Sequence, residues 1–150
     1  MSGKIVVIAG PTASGKTELS LALAERLNGE IVSADSMQIY RGMDIGTAKP
    51  TLEERRGIAH HMLDVAEPGE DWSVSRYEQQ AALCIDDILR RGRLPILCGG
   101  TGLYINAVIS GAGFQASGAD SGIRAALEKQ WDEQGAAAMC ARLRSVDPES

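Results

Sequence analysis

The residues Gly10-Pro11-Thr12-Ala13-Ser14-Gly15-Lys16-Thr17 fit the pattern GxxxxGK[ST]. Chemistry explains the pattern. Glycines let a backbone wrap so that successive N–H groups face inward, and a helix that follows adds the positive end of its dipole. Lys16 adds a full positive charge, and the Thr17 hydroxyl can coordinate Mg²⁺. Such a loop binds a polyphosphate; the plainer alternative is a tight strand–helix turn with an incidental lysine. A second candidate is Asp35, a carboxylate that can accept a proton from a nucleophile held opposite the phosphates, or can simply cap a turn.

These residues need elements to hold them. Residues 4–9 (KIVVIA) read as a short buried strand and 17–27 (TELSLALAERL) as a helix with a Leu19, Leu23, Leu27 stripe, stopped at Asn28-Gly29. Residues 30–34 form the next strand, which sets Asp35 at the carboxyl edge where α/β ligands bind. Residues 35–72 are irregular and longer than a passive connection needs. Residues 75–91 read as a helix whose apolar face is Tyr77, Ala81, Cys84, Ile85 and Ile88, with Ser75-x-x-Glu78 as a capping box. Residues 93–98 (RLPILC) form a third strand, and Gly99-Gly100 turns into a helix at about 102–110. The alternation predicts an α/β fold, a P-loop NTPase-like parallel sheet with helices on both faces. Residues 111–122 look like a linker, and 122–133 and 136–144 like two helices, so we divide the chain into a core, 1–114, and the start of a helical insertion region, 115–150.

Length and composition set bounds. The 150 residues suit one ordinary domain, and 44% hydrophobic with 23% charged residues is globular composition. No apolar run approaches a membrane span, and nothing resembles a secretory leader, so a cytoplasmic protein is expected. The net charge of −5 argues against a protein that coats nucleic acid with a broad basic face, though not against a narrow basic site. Cys84, Cys98 and Cys140 form no CxxC pair and are expected to be buried free thiols.

Several other groups have two readings. Arg90, Arg91 and Arg93 are expected to be solvated charges at a helix end. His60, His61 and Asp64 could suggest a metal, but adjacent histidines do not share a helix face, and a role in orienting a loop by hydrogen bonds is preferred. Tyr40 and Tyr104 could stack on a base or pack in the core; Arg41 and Lys49 could meet phosphate or remain solvated. Trp131 reads as a packing residue.

Four blocks, GPTASGKT at 10–17, DSMQIYRGMDIGTAKP at 35–50, HHMLD at 60–64 and GGTGLY at 99–104, occur in one order. With them the chain resembles the tRNA dimethylallyltransferases (IPP transferases). The resemblance implies that the glycine loop, Gly10 to Thr17, holds the pyrophosphate of dimethylallyl diphosphate with Mg²⁺ at Thr17. It implies an acceptor: the exocyclic amine of the adenosine 3′ of the anticodon, in tRNAs that read codons beginning with U. Asp35 matches the family's general base. Ser36, Met37 and Gln38 match the stretch that contacts the target base. Thr101 matches a catalytic position near donor and nucleotide, and Arg124 matches a tRNA-contacting arginine. A monomer is expected.

Family members are about twice as long, so the chain is expected to be an N-terminal part. Its first strand, flanked on both sides in such folds, would then be an exposed apolar edge. The competing readings are a nucleotide or small-molecule kinase and a non-catalytic diphosphate-binding fragment. The blocks after residue 35 decide against the kinase, and the third strand, ending in Cys98-Gly99-Gly100 with no carboxylate to serve a metal, weighs against an NTP motor.

Overall fold

The computed structural model describes residues 3–110 and 121–148. The chain divides into two compact units, Met1–Phe114 and Gln115–Ser150. In the first, the order is β1 (Val6–Ala9), α1 (Lys16–Leu27), β2 (Gly29–Ser33), β3 (His60–His61), α2 (Val74–Arg90), β4 (Leu94–Gly99) and α3 (Gly102–Ser110). The strands form one parallel sheet in the order β1-β4-β2-β3. Among the described residues β1 pairs with β4 alone, so it is an edge, as expected.

Successive strand residues face opposite sides, and this alternation sorts the core. Ile8, Ile31 and Ile96 face Leu21 and Ala24 of α1. Val32 and Leu97 face Tyr77, Ala81, Ile85 and Ile88 of α2 and Tyr104 and Ile105 of α3. The sheet therefore carries helices on both faces. Within the second face the rings of Tyr77 and Tyr104 stack, 3.9 Å between centroids and 9° between planes. The Tyr77 hydroxyl donates to the Ser33 carbonyl at 2.8 Å, and burial pushes its pKa far above the usual phenol value.

Three local expectations change. The residues that α1 buries are Ser20, Leu21 and Ala24; of the expected stripe Leu23 packs against this core, whereas Leu19 and Leu27 are exposed. At the start of β2 the neighbouring strand comes close: a Cβ on Gly29 would lie 2.9 Å from the Leu94 carbonyl oxygen of β4. The cap of α2 is Ser73, which accepts from the Arg76 N–H at 3.1 Å, so the helix begins one residue before the proposed capping box. The irregular segment also contains β3, which leucine and valine spacing does not announce.

Of the three arginines at the end of α2, Arg90 is the expected surface charge, paired with Asp87 at 3.3 Å, whereas Arg91 and Arg93, though still exposed, also serve a buried carboxylate. Glu30, 1% exposed on β2, accepts from Arg91 through both guanidinium Nη atoms, from Arg93 Nη1 at 2.9 Å and from His61 Nε2 at 2.7 Å. The Arg91 hydrogen bonds outweigh desolvation and hold the carboxyl at a pKa of about 2. This buried anion ties β2 and β3 to the turn between α2 and β4.

The second unit contains α4 (Ser121–Val146), which breaks at Gly135 (φ 76°, ψ 173°) into two helical segments. Gln130 and Arg142, one on each segment, are hydrogen-bonded, and Trp131 lines an apolar groove with Leu127, Met139 and Leu143. Residues 111–120, where most of the proposed linker falls, lie outside the described residues. Cys84 and Cys98 are partly buried; Cys140 is exposed, contrary to expectation. No helix among the described residues is long and apolar enough to cross a membrane.

Candidate functional site

The glycine-rich loop leaves β1 and enters α1. Ala13 (φ 63°) and Gly15 (φ 83°) are left-handed, a backbone pattern that turns successive N–H groups towards one side and favours anions. Gly15 is the N-cap of α1 and no side chain caps the helix, so the first-turn N–H donors remain for a ligand. The Lys16 ammonium reaches back across the loop to the Pro11 carbonyl. Thr12, Ser14 and Thr17 are exposed, and Cys98 at the end of β4 touches the Lys16 carbonyl through its thiol at 3.8 Å.

Two close approaches join this loop to the ends of β2 and β4. A Cβ on Gly99 would stand 2.2 Å from the Ala34 carbonyl oxygen, so only glycine lets β4 run on past β2. A Cβ on Gly100 would lie 3.3 Å from the Gly10 carbonyl, which sets GGTG against the glycine loop. Thr101 N then donates to the Ala34 carbonyl at 3.1 Å. The Thr101 hydroxyl accepts from the Ser36 N–H at 3.0 Å and lies 3.4 Å from the Ser36 hydroxyl. Gly10, Asp35, Ser36 and Thr101, far apart in sequence, thus share the carboxyl edge of the sheet.

Asp35 caps the turn that follows it. Its Oδ1 accepts from Met37 N at 2.8 Å and Gln38 N at 3.2 Å. One carboxylate oxygen therefore fixes the turn. A carboxylate has a second oxygen, so capping and proton acceptance are compatible. Met37 is exposed beside it. The Gln38 amide is an internal brace: its Oε1 accepts from Ser33 Oγ at 3.1 Å and its Nε2 donates to the Thr47 carbonyl at 3.0 Å.

Sequence reasoning missed what holds this loop. Lys49, 7% exposed, donates to the Tyr40 carbonyl at 2.7 Å and pairs with Asp44 at 2.8 Å and Asp64 at 2.6 Å. Burial opposes its charge, but the two aspartates more than offset that and raise its pKa. It is neither solvated nor available to phosphate. His60 donates from Nδ1 to the Ile58 carbonyl at 2.9 Å, and burial lowers its pKa. Its neighbour His61 serves Glu30 on the other face of β3. The pair orients a loop, and no cluster of three metal-ligating side chains occurs among the described residues. Tyr104 is a core residue, and Tyr40 donates to the Glu70 carbonyl at 3.3 Å. Arg41 pairs with Glu67 at 3.3 Å on the surface. The side chain of Arg124 lies outside the described residues.

A cleft of about 390 Å³ opens beside the glycine loop, between Lys16 and Thr17 on one side and Ala48, Glu54 and Arg56 on the other.

The model of the IPP transferases matches residues 38–150, and a model named isopentenyl transferase matches residues 3–71. The chain belongs to the IPP transferase family. Among curated members, the tRNA dimethylallyltransferase of Anaeromyxobacter sp. (strain K) is 54% identical over 145 residues, 97% of this chain and 47% of that protein. The tRNA dimethylallyltransferase of Geobacillus thermodenitrificans is 54% identical over all 150 residues, 48% of its own length. The chain therefore spans about half the length of these relatives. Among solved IPP transferases, the full-length tRNA isopentenylpyrophosphate transferase of Bacillus halodurans superposes with a TM-score of 0.75 at 49% identity, over 99% of this chain and 49% of that one. A eukaryotic dimethylallyltransferase acting on tRNA superposes with a TM-score of 0.69 at 43% identity, over 71% of this chain and 26% of that one.

Proposed function

We propose that this chain forms the donor-binding and base-presenting half of a tRNA dimethylallyltransferase. The reaction moves a dimethylallyl group from dimethylallyl diphosphate to the exocyclic amine of the adenosine 3′ of the anticodon, in tRNAs that read U-starting codons. The allylic C–O bond breaks, the N–C bond forms, pyrophosphate leaves, and the amine proton goes to Asp35. One observation carries the reading: the glycine loop, which leads into an uncapped helix N-terminus, meets at Gly10 the Gly100-Thr101 turn that braces Ser36 beside Asp35, in a chain of this family.

Each residue has a physical task. An allylic carbon tolerates developing positive charge, so departure of pyrophosphate limits the reaction, and loop amides with Lys16 stabilise the charge gathering on that group. Adenine's amine is a weak nucleophile, so the free oxygen of Asp35 is useful as a base. Thr101 holds the Ser36 N–H and so fixes the turn that carries Asp35, Met37 and Gln38. The target base must leave its stack to reach them. The donor set here, the exposed Thr17 hydroxyl with no group of three metal-ligating side chains among the described residues, suits a cation such as Mg²⁺ that keeps its waters and takes its other ligands from substrate phosphates. Thr17 would hold it, and it would neutralise charge on the leaving diphosphate. Residues 115–150, with Arg124, are assigned to a helical region that meets tRNA.

The test exchanges residues 1–150 into the Geobacillus relative. The exchanged protein is expected to transfer label from dimethylallyl diphosphate to unmodified tRNA. Transfer of phosphate from ATP to a small molecule, with none of the prenyl group, would replace this reading with the kinase.

A further inference from the structure

Arg56 has no part in the loop's own anion site, yet it reaches the wall of the same cleft as Lys16 and Thr17. It is a left-handed residue (φ 52°) in a turn between residues 53 and 58, closed by Arg56 N to the Glu53 carbonyl at 3.1 Å and Ile58 N to the Arg55 carbonyl at 2.8 Å. From that turn its Nη2 grips both carboxylate oxygens of Glu18, at 2.9 and 2.8 Å, and its Nη1 lies 3.9 Å from Glu25. Glu18 directly follows Thr17 in the first turn of α1. The guanidinium is thus parked one residue from the threonine expected to meet the diphosphate, and the side chain remains 44% exposed.

The pair is a weak strut, since exposed ion pairs contribute little to stability. Its electrostatic setting is more informative. Glu18 and Glu54 place two negative charges on a cleft whose expected ligand is an anion. Guanidinium groups bind phosphate oxygens bidentately, and a diphosphate carries more charge than one carboxylate. We propose that Arg56 is a second cationic ligand of the diphosphate, held by Glu18 in the free protein and transferred to the phosphates when the donor binds. The proposal rests on the diphosphate reading of the glycine loop. It adds a charge that the loop motif does not contain, supplied from the 51–57 segment rather than from the loop.

Titration calorimetry of the 150-residue chain with inorganic pyrophosphate tests it, with circular-dichroism melting to confirm that each variant folds. Lys16→Ala is the control for the loop. Arg56→Gln is expected to weaken pyrophosphate binding about tenfold, the effect of one charge-assisted hydrogen-bonded contact, and Arg56→Lys to fall between. Glu18→Gln is expected to tighten binding about two- to threefold, because the competing carboxylate is gone. The deciding measurement is Arg56→Gln made on top of Glu18→Gln. If the guanidinium touches the diphosphate, it still weakens binding about tenfold there. If Arg56 only neutralises Glu18, the second substitution changes nothing, and the proposal is overturned. Binding that depends on Lys16 but not on Arg56 overturns this inference alone. No Lys16-dependent binding by the unaltered chain overturns the loop reading and this inference together.

Discussion

Asp35 has two possible tasks, and its two oxygens allow them to be separated. Asparagine keeps an oxygen to accept from Met37 N and Gln38 N but cannot take a proton, so Asp35→Asn should leave stability within about 1 kcal/mol. In the exchanged protein the same substitution should lower prenyl transfer by about a hundredfold or more, the usual contribution of a general base. Unaltered turnover would reduce Asp35 to a turn cap. Thr101→Val removes the acceptor of the Ser36 N–H, and leaving that donor unmatched should cost about 1–2 kcal/mol, read as a lower urea midpoint. Gly99→Ala is more severe. Its Cβ would fall 2.2 Å from a backbone oxygen that cannot rotate away, and the strands must separate, at a cost of about 3 kcal/mol.

Among the elements, the buried carboxylate of Glu30 makes the sharpest prediction. Its folded-state pKa lies at about 2, below the ordinary carboxyl value of 4.5. A lowered pKa contributes stability that is fully present above the unfolded value and is lost as pH falls through the folded one. The shift corresponds to about 3 kcal/mol at neutral pH. The stability difference between the unaltered chain and Glu30→Gln should therefore be constant above about pH 5 and shrink between pH 4.5 and 2. A difference that does not change over that interval would show that Arg91, Arg93 and His61 do not favour the ionised carboxyl. Glu30 was within reach of sequence reasoning: a charge inside the predicted strand EIVSA requires a partner once that strand is buried. Which partner was not legible, because Arg91 lies 61 residues away and is brought there only by the return of α2 to the sheet.

At the scale of the whole molecule, the two units differ in how much they bury. The sheet of the first lies between two apolar layers. The second is a pair of helical segments whose described side chains are mostly exposed, and units this small rarely build a sufficient core. Hydrogen exchange should therefore be slow at Ile31, Val32, Ile96 and Leu97 and faster by orders of magnitude throughout α4. Equal protection in the two units would mean that α4 is stabilised by more than its own contacts.

The amino-acid sequence alone determined the alternation of strands and helices, the glycine loop and the blocks that mark the family, because these depend on local periodicity and on residues adjacent along the chain. It placed α2, β4 and α3 within a residue or so and divided the final helices at Gly135, where a glycine stops the run. It was only partly right about the buried face of α1: Leu23 packs against the core, but Leu19 and Leu27 are exposed and Ser20, Leu21 and Ala24 are buried, because leucine spacing reports hydrophobicity and not which side meets the sheet. Only the tertiary structure decided that Lys49 is a buried clamp, that Arg91 and Arg93 serve Glu30, and that Arg56 returns to the cleft. A charge declares its sign in the sequence, but its partner is chosen by the chain path in space, and in this protein those partners come from distant turns.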